Sequence, residues 1–497
     1  MLALRLDGDG PLHRRAYRAL RDAILAGRLA PAARLPSTRE LADELGVSRN
    51  TVLQAYDRLV AEGYATARPA SGTFVAASLP AARARTNPRR PAAIAEAPAD
   101  GDPRLSAIGE RLMDVARGRR ASWSLPREPL PYDFRYGEPA YADLPLATWA
   151  RILGRRARRL SVRRLAYQPP GGAAELREQL ASYLGRARGV ACSAEQVLVV
   201  HGSQQAIDLT LRVLVDPGDR VVLEEPHYTG FSLCAAAVGA DVVHVPVDEH
   251  GLRVEELAAV RSARLACVTP SHQYPAGGVL SLPRRLALLD WARSLAAYVL
   301  EDDYDGEFRF EGHPLESLQS LDRHGRVLYM GTASKILFPA LRIGWLVVPP
   351  VLADPFRAAQ ALSDTGTATL EQLAFADFIA EGQLERHVRR TRARHAARRR
   401  ALLDAMEREL GDRARVLGVS AGLHVLVRID ELPRRDVTRL RAACRERGVG
   451  VYPAAPFYDR PPPHAELLLG YGALGERAIR EGVRRLRQAI DSLAREP

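Results

Sequence analysis

The chain has 497 residues, 47% hydrophobic and 26% charged, with a formal net charge of +12 and a pI near 9.8. Those proportions are ordinary for a globular protein of two or more domains, and the basic balance favours a polyanionic partner once it can be localised. Four scattered cysteines (Cys192, Cys234, Cys267, Cys444) argue against a disulfide framework or a CxxC zinc site, no apolar run reaches the roughly 18 residues of a membrane span, and the N-terminus lacks a secretory apolar region, so a cytoplasmic protein with no metal and no membrane partner is expected.

Residues 11–76 read as a first domain of amphipathic helices and short turns. Ser37 followed by Glu40 has capping-box spacing and opens a helix with Leu41, Ala42 and Leu45 on its apolar face. Gly46 ends it in the left-handed region, "GVS" makes a tight turn, and Ser48 caps a second helix. Val52, Leu53, Tyr56, Leu59 and Val60 are expected to form the inward stripe of that helix. Two short helices across such a turn make a helix-turn-helix, and "YATARPASGTFVA" after them reads as a small hairpin, a wing. The exposed tip of the second helix carries Ser48, Arg49, Asn50 and Thr51, with Arg39 on the helix before. These are donors for phosphates and base edges at the end that enters a major groove.

Residues 77–130 are rich in Ala, Pro and Arg and show no sustained helical or strand period, which predicts a linker, extended or partly disordered. Its Arg83, Arg85, Arg89 and Arg90 are candidate phosphate contacts.

From 131 to 497, apolar runs alternate with helical stretches: "QVLVVHG", "RVVLEEP", "DVVHVPV", "RLACVTP", "AYVLEDD", "RVLYMGT" and "IGWLVVP". That alternation predicts an α/β fold with a mostly parallel sheet covered by helices, and a smaller C-terminal lobe from about 385. Gly202, Ser203 and Gln204 stand at a strand–Gly–helix junction, where backbone N–H groups can hold a phosphate. Tyr228 in "EEPHYTG" is an aromatic placed to stack on a ring, and Asp302 in "YVLEDDYDGEF" supplies a carboxylate at a strand end, with Tyr304 expected to point the same way two residues on. Lys335, in "GTASKILFPALRIG", is the only lysine among the 71 lysines and arginines. A guanidinium serves wherever positive charge alone matters, but only a primary amine can lose a proton and form a Schiff base to an aldehyde cofactor.

"LPSTRELADELGVSRNTV", "YDRLVAEGY" and "SGTFV" resemble the winged helix-turn-helix of the GntR superfamily, with Ala70 standing where that family's wing often has Gly. The resemblance implies Arg39, Ser48, Arg49, Asn50, Thr51, Ser71 and Gly72 as DNA contacts. "YQPPGGAAELREQLASYL", "HGSQQAIDL", "PSHQYPAGG", "EDDYDGEF" and the lysine segment, in that order, resemble fold-type I aminotransferases. The fused arrangement resembles the MocR/GabR family of transcriptional regulators. It implies pyridoxal 5′-phosphate as cofactor, with Lys335 as the Schiff-base lysine. Asp302 and Tyr304 are implied at the ring, Tyr228 stacked on it, and Gly202, Ser203, Gln204, Thr332 and Arg342 on the phosphate. Tyr167 is implied to reach the phosphate from the partner subunit of a homodimer.

Two departures bear on activity. Tyr274 occupies the position of an aminotransferase asparagine that bonds the ring oxygen, a role then missing or taken by His272 or Gln273. Leu468 stands where an arginine usually forks the substrate carboxylate. The expectation is therefore a regulator that senses pyridoxal phosphate or an amine and controls binding to a DNA operator. A working aminotransferase with an accessory DNA-binding head is the alternative, and a cofactor-free scaffold a third reading.

Overall fold

A computed structural model describes residues 4–77, 105–123, 130–310 and 315–495. The chain divides into two compact units, Met1–Arg104 and Leu105–Pro497. The linker arginines 83, 85, 89 and 90 lie outside the described residues.

The first unit holds helices α1 (Leu12–Leu25), α2 (Thr38–Leu45) and α3 (Arg49–Ala61) and the antiparallel strands β1 (Ala65–Arg68) and β2 (Gly72–Val75). A full capping box starts α2: Ser37 Oγ accepts the Glu40 N–H at 3.2 Å and the Glu40 carboxylate accepts the Ser37 N–H at 2.8 Å. Gly46 closes it at φ +65°, and Ser48 Oγ accepts the Thr51 N–H at 3.1 Å to open α3. Ala16, Tyr17, Leu20, Leu41, Val52, Ala55, Tyr56, Leu59 and Val75 fill the core. The predicted stripe on α3 needs correction, because Leu53 and Val60 are exposed at 46% and 37%. The buried series is Val52, Ala55, Tyr56 and Leu59, spaced three and four apart; Leu53 and Val60 each sit one residue, about 100°, round from it.

The second unit begins with α4 (Ala107–Trp123), followed by β3 (Tyr132–Asp133), α5 (Leu146–Arg159), α6 (Val162–Leu165) and α7 (Ala174–Arg188). Next come β4 (Val197–Val200), α8 (Ser203–Leu214), β5 (Arg220–Glu225), α9 (Thr229–Val238), β6 (Asp241–Asp248), β7 (Gly251–Leu252) and β8 (Leu265–Val268). After α10 (Leu282–Ser294) come β9 (Tyr298–Asp302), α11 (Leu318–Leu321), β10 (Val327–Thr332), the short α12 (Ala333–Ile336) and β11 (Gly344–Val347). The remainder is α13 (Ala353–Asp364), α14 (Thr369–Ala380), α15 (Gln383–Leu410), β12 (Arg415–Leu417), β13 (His424–Pro433), α16 (Val437–Glu446), β14 (Val449–Gly450), β15 (Tyr452–Pro453), β16 (His464–Gly470) and α17 (Glu476–Arg495).

The large sheet runs β4-β11-β10-β9-β8-β5-β6-β7, parallel from β10 through β6, with β11 antiparallel to both its neighbours. All seven apolar runs read from the sequence are its strands. They read as continuous apolar stretches because both faces are covered. Val197, Val199, Tyr329 and Trp345 pack on one side with residues of α7 and α14. Leu198, Val200, Leu328 and Met330 pack on the other with residues of α8 and α9.

A second sheet, β12-β13-β16-β15, packs with α15, α16 and α17 around a separate core. Phe134 belongs to that core, and β3 pairs with β14, so a strap from before the large sheet is stitched into the C-terminal part.

Part of the stretch expected to be extended is helical. Ile108, Leu112 and Val115 keep a helical period that the flanking Pro and Arg dilute. The α4 helix is held against α9, with Arg111 Nε donating to the Ala237 carbonyl at 3.0 Å.

Candidate functional site

The carboxyl ends of β9 and β10 lie side by side, Met330 in register with Asp302. This edge of a parallel sheet is where α/β folds place ligands. A cavity of about 260 Å³ opens there, lined by Tyr136, Gly137, Ser203, Tyr228, Tyr274, Asp302, Tyr304, Thr332, Lys335, Leu423 and His424.

Lys335 comes from α12, directly after β10. The Thr332 side chain caps that turn by accepting the Ser334 N–H at 3.1 Å. The Lys335 Nζ donates to the Gly137 carbonyl at 2.7 Å. Burial pushes its amine below the ordinary lysine value, with Asp305 and Asp302 opposing the shift. Asp302 is buried, and its Oδ1 has no hydrogen-bond partner. Burial, reinforced by Asp303 and Asp305, raises its carboxyl well above the usual range. An acid in that state gains most from a buried cationic donor such as a protonated ring nitrogen.

The neighbouring acid turns the other way. Asp303 accepts from Arg188 Nε at 2.6 Å, from Arg188 Nη2 at 3.0 Å and from the Tyr329 hydroxyl at 2.7 Å. Arg188, Asp303 and Tyr329 are all buried, so this forked pair holds the β9 end from beneath.

Tyr304 lines the cavity, but from a turn rather than from the strand. The β9 strand stops at Asp302, and Asp305-Gly306 supplies turn chemistry. The Tyr304 hydroxyl lies 2.8 Å from His272 Nδ1, which also faces Asp305 Oδ2 at 2.9 Å. Tyr274 is a lining residue with its ring edge-on to Tyr228, Tyr304 and Phe457. Of its two suggested stand-ins, Gln273 faces away, donating to Glu224 and to the Pro226 carbonyl, while His272 lies behind the lining residues Tyr304 and His424. Leu468 is fully buried with Tyr274, Leu426 and Phe457, an apolar wall at the arginine position.

Tyr228 precedes α9 as its N-cap residue, and Ser203 opens α8. Gly202 before it has φ +79°, and a Cβ there would stand 3.2 Å from the Arg342 guanidinium. Only glycine fits this approach easily. The Gln204 side chain donates to Cys234 Sγ at 2.9 Å, leaving its backbone N–H in the first turn of α8, where helices have no internal acceptor. Arg342 is exposed and bonds the His201 carbonyl. Tyr167 does not line the cavity of the single chain and is 90% exposed.

Sequence reading missed Tyr136, Gly137, Leu423 and His424. The first two lie some 200 positions from the lysine, beyond any local motif. His424 left a signal, a histidine in the otherwise apolar run "GLHVLV". It is buried, its Nε2 has no partner among the described residues, and burial lowers its pKa well below the ordinary value.

In the first unit, Arg39, Ser48, Arg49 and Asn50 are exposed around the start of α3, and Ser71 and Gly72 are exposed on the wing. Ser48 and Thr51 spend their hydroxyls on the cap, 2.8 Å apart, and Arg49 Nε donates to Thr38 Oγ1 at 3.3 Å. Arg34 stands beside Gly72 and Arg68 lies over the Phe74 ring at 4.8 Å, two basic wing groups that the sequence reading did not single out.

Residues 12–75 match the gntR family of bacterial regulatory proteins, and residues 134–463 match aminotransferase class I and II. The probable rhizopine catabolism regulatory protein MocR of Rhizobium meliloti is 40% identical over 99% of this chain and 96% of its own. The HTH-type transcriptional regulator TauR of Rhodobacter capsulatus is 34% identical over 97% of each. Among solved structures, the α-aminoadipate aminotransferase LysN of Thermus thermophilus, complexed with N-(5′-phosphopyridoxyl)-L-leucine, aligns with a TM-score of 0.69 at 29% identity, over 78% of this chain and 98% of that one. No helix among the described residues is long and apolar enough to cross a membrane.

Proposed function

The chain belongs to the MocR/GabR family of transcriptional regulators, and from that premise we propose how its two units divide the work. The gntR-type unit binds an operator in double-stranded DNA, through Arg39, Ser48, Arg49, Asn50 and Thr51 at the start of α3 and Ser71 and Gly72 on the wing. The aminotransferase-like unit holds pyridoxal 5′-phosphate, and its response to that cofactor or to an amine changes the grip on DNA. One observation carries this reading: the only lysine in the chain and a buried aspartate with an unpartnered oxygen line the same cavity.

When bound, the cofactor supplies an aldehyde that can form a carbon–nitrogen bond with an amine, and a ring that withdraws electrons from it. Each residue then has a role its surroundings support. Burial keeps more of the Lys335 amine neutral, the form that attacks a carbonyl. Asp302 Oδ1 would accept a hydrogen bond from the ring nitrogen and keep it protonated. Tyr304, fixed through His272, bonds the ring oxygen, and Tyr228 covers a ring face. Gly202, Ser203 and Gln204 offer N–H groups at the start of α8, joined by Thr332 and Arg342, for the phosphate.

Tyr167 reaches the phosphate of a second copy in a homodimer. The exposure of Val162, Leu165 and Tyr167 at 84%, 70% and 90% suits a stretch covered by another subunit. The apolar wall at Leu468 favours an effector other than an ordinary α-amino acid, and a sensor over a working aminotransferase.

The test is binding to the gene's own upstream DNA by protein that is cofactor-free, cofactor-loaded, or loaded and reduced with borohydride. A coupling of about 1–3 kcal/mol changes affinity about 5- to 150-fold between forms. Equal affinities would remove the sensor. Sustained transamination at about 1 s⁻¹ or faster would favour the enzyme.

A further inference from the structure

Beyond the cofactor cavity, one cluster is built for a ligand that no site above uses. Glu225 ends β5, His227 follows it across Pro226, and His244 lies on β6. Parallel pairing sets Leu223 opposite His244 and Glu225 opposite Pro246. Alternate residues of a strand share a face, so Glu225 and His244 project from the same side.

Glu225 Oε2, His227 Nδ1 and His244 Nδ1 lie within 4.8 Å of one another. The carboxylate oxygen is 3.3 Å from His244 Nδ1 and 3.7 Å from His227 Nδ1. Among the described residues all three atoms are buried with no well-formed hydrogen bond, only these ion-pair contacts to one another, and His227 is 5% exposed. Both rings could donate an Nδ1–H to the carboxylate oxygen, but 3.3 and 3.7 Å are long for such bonds. One cation at the centre satisfies all three. A tetrahedral ion with bonds of about 2.0–2.1 Å sets its ligand atoms about 3.3 Å apart, close to the two carboxylate–imidazole distances found here.

The surroundings orient the ligands as a metal site requires. Glu225 Oε1, the oxygen facing away, accepts the Arg460 N–H at 2.8 Å. His244 Nε2 faces Asp459 Oδ1 at 4.0 Å. The His227 backbone N–H donates to the Phe457 carbonyl at 2.9 Å, fixing the chain at that ligand.

We propose that Glu225, His227 and His244 bind a divalent transition-metal ion of the zinc type, with a water completing the shell. Two imidazoles and one carboxylate suit zinc, whereas magnesium and calcium demand an all-oxygen shell. The sequence reading expected no metal because it weighed cysteine spacing; here the ligands come from two strands and the register brings them together. The ion fixes the junction between β5 and α9, from which Tyr228 enters the cavity next door. This site is independent of the regulator reading, since it rests on β5, β6 and the 457–460 turn.

The experiment uses tag-free, full-length protein carrying its cofactor, stripped of metal by a chelator and dialysed. Titration with Co²⁺ is expected to give one visible ligand-field chromophore per chain, of tetrahedral intensity, displaced by Zn²⁺. Glu225→Gln and His244→Gln should each weaken Co²⁺ binding by more than about tenfold. Retained cofactor absorbance in each variant shows that it has folded, and a variant that loses it is replaced by His227→Asn under the same criterion. Absence of saturable Co²⁺ and Zn²⁺ binding overturns the site, as does binding that the folded variants leave unchanged.

Discussion

At the scale of single residues, the proposed chemistry rests on Lys335 and Asp302, and each makes a separate prediction. Lys335→Ala should abolish the bond to the cofactor that borohydride traps, read as the loss of one modified peptide by mass spectrometry. Asp302→Asn removes a charged acceptor from a buried site. It should weaken cofactor binding by about 1.5–3 kcal/mol, roughly tenfold to a hundredfold, measured by absorbance titration. A third residue stands apart from the chemistry. Ala70 sits at φ +59° at the wing tip, a backbone region that costs residues with a Cβ about 1–2 kcal/mol. Ala70→Gly relieves that strain while making the unfolded chain freer, so the first unit should gain up to about 1 kcal/mol in thermal or denaturant unfolding. An unchanged or lowered midpoint would show that the strain is compensated by something else at the tip.

At the scale of elements, the strands were the most legible part, because a sheet covered on both faces writes unbroken apolar runs. The Ser37–Glu40 capping box, the Ser48 cap and Gly46 were legible for a similar reason: local hydrogen bonds need particular residues at fixed offsets. Errors arose where the signal depended on neighbours. Leu53 and Val60 look like core but lie beside the buried stripe of α3, while small Ala55 takes an inward place. The α4 period was hidden by its Pro- and Arg-rich flanks. Lys335, Asp302 and Tyr228 could be found from motifs, whereas Gly137 and His424 meet them only through the fold. Arg188 was missed for the same reason, since it ends α7 more than a hundred residues from the Asp303 that it holds. Arg188→Ala strands a buried carboxylate and should cost the second unit about 3–5 kcal/mol. Denaturant titration of full-length protein, following near-UV signals from that unit, would measure it.

Across the whole molecule, buried charge gives folding a dependence on pH. Burial raises the Glu224, Glu301 and Glu307 carboxyls from 4.5 to about 7, and Asp303 adds to the shift at Glu301 and Glu307. The folded chain therefore keeps protons that the unfolded chain releases. Each contribution is complete below pH 4.5 and is lost as pH rises through about 7. Burial lowers His395 to about 4, which gives a slope of the opposite sign, so the useful quantity is a difference between variants. Wild type minus Glu224→Gln should lose up to about 3 kcal/mol of relative stability between about pH 5 and pH 8. A flat difference would show that Glu224 stays ionised. Finally, the amine of Lys335 is tied to the carbonyl of Gly137, and Gly137 belongs to the strap whose Phe134 is anchored in the C-terminal core. An aldehyde that captured the amine would leave at most one N–H on that nitrogen and compete with the carbonyl for it. Loading the pocket should thus loosen the Tyr136–Glu138 stretch of the strap that lines it, and deuterium uptake there would gauge occupancy.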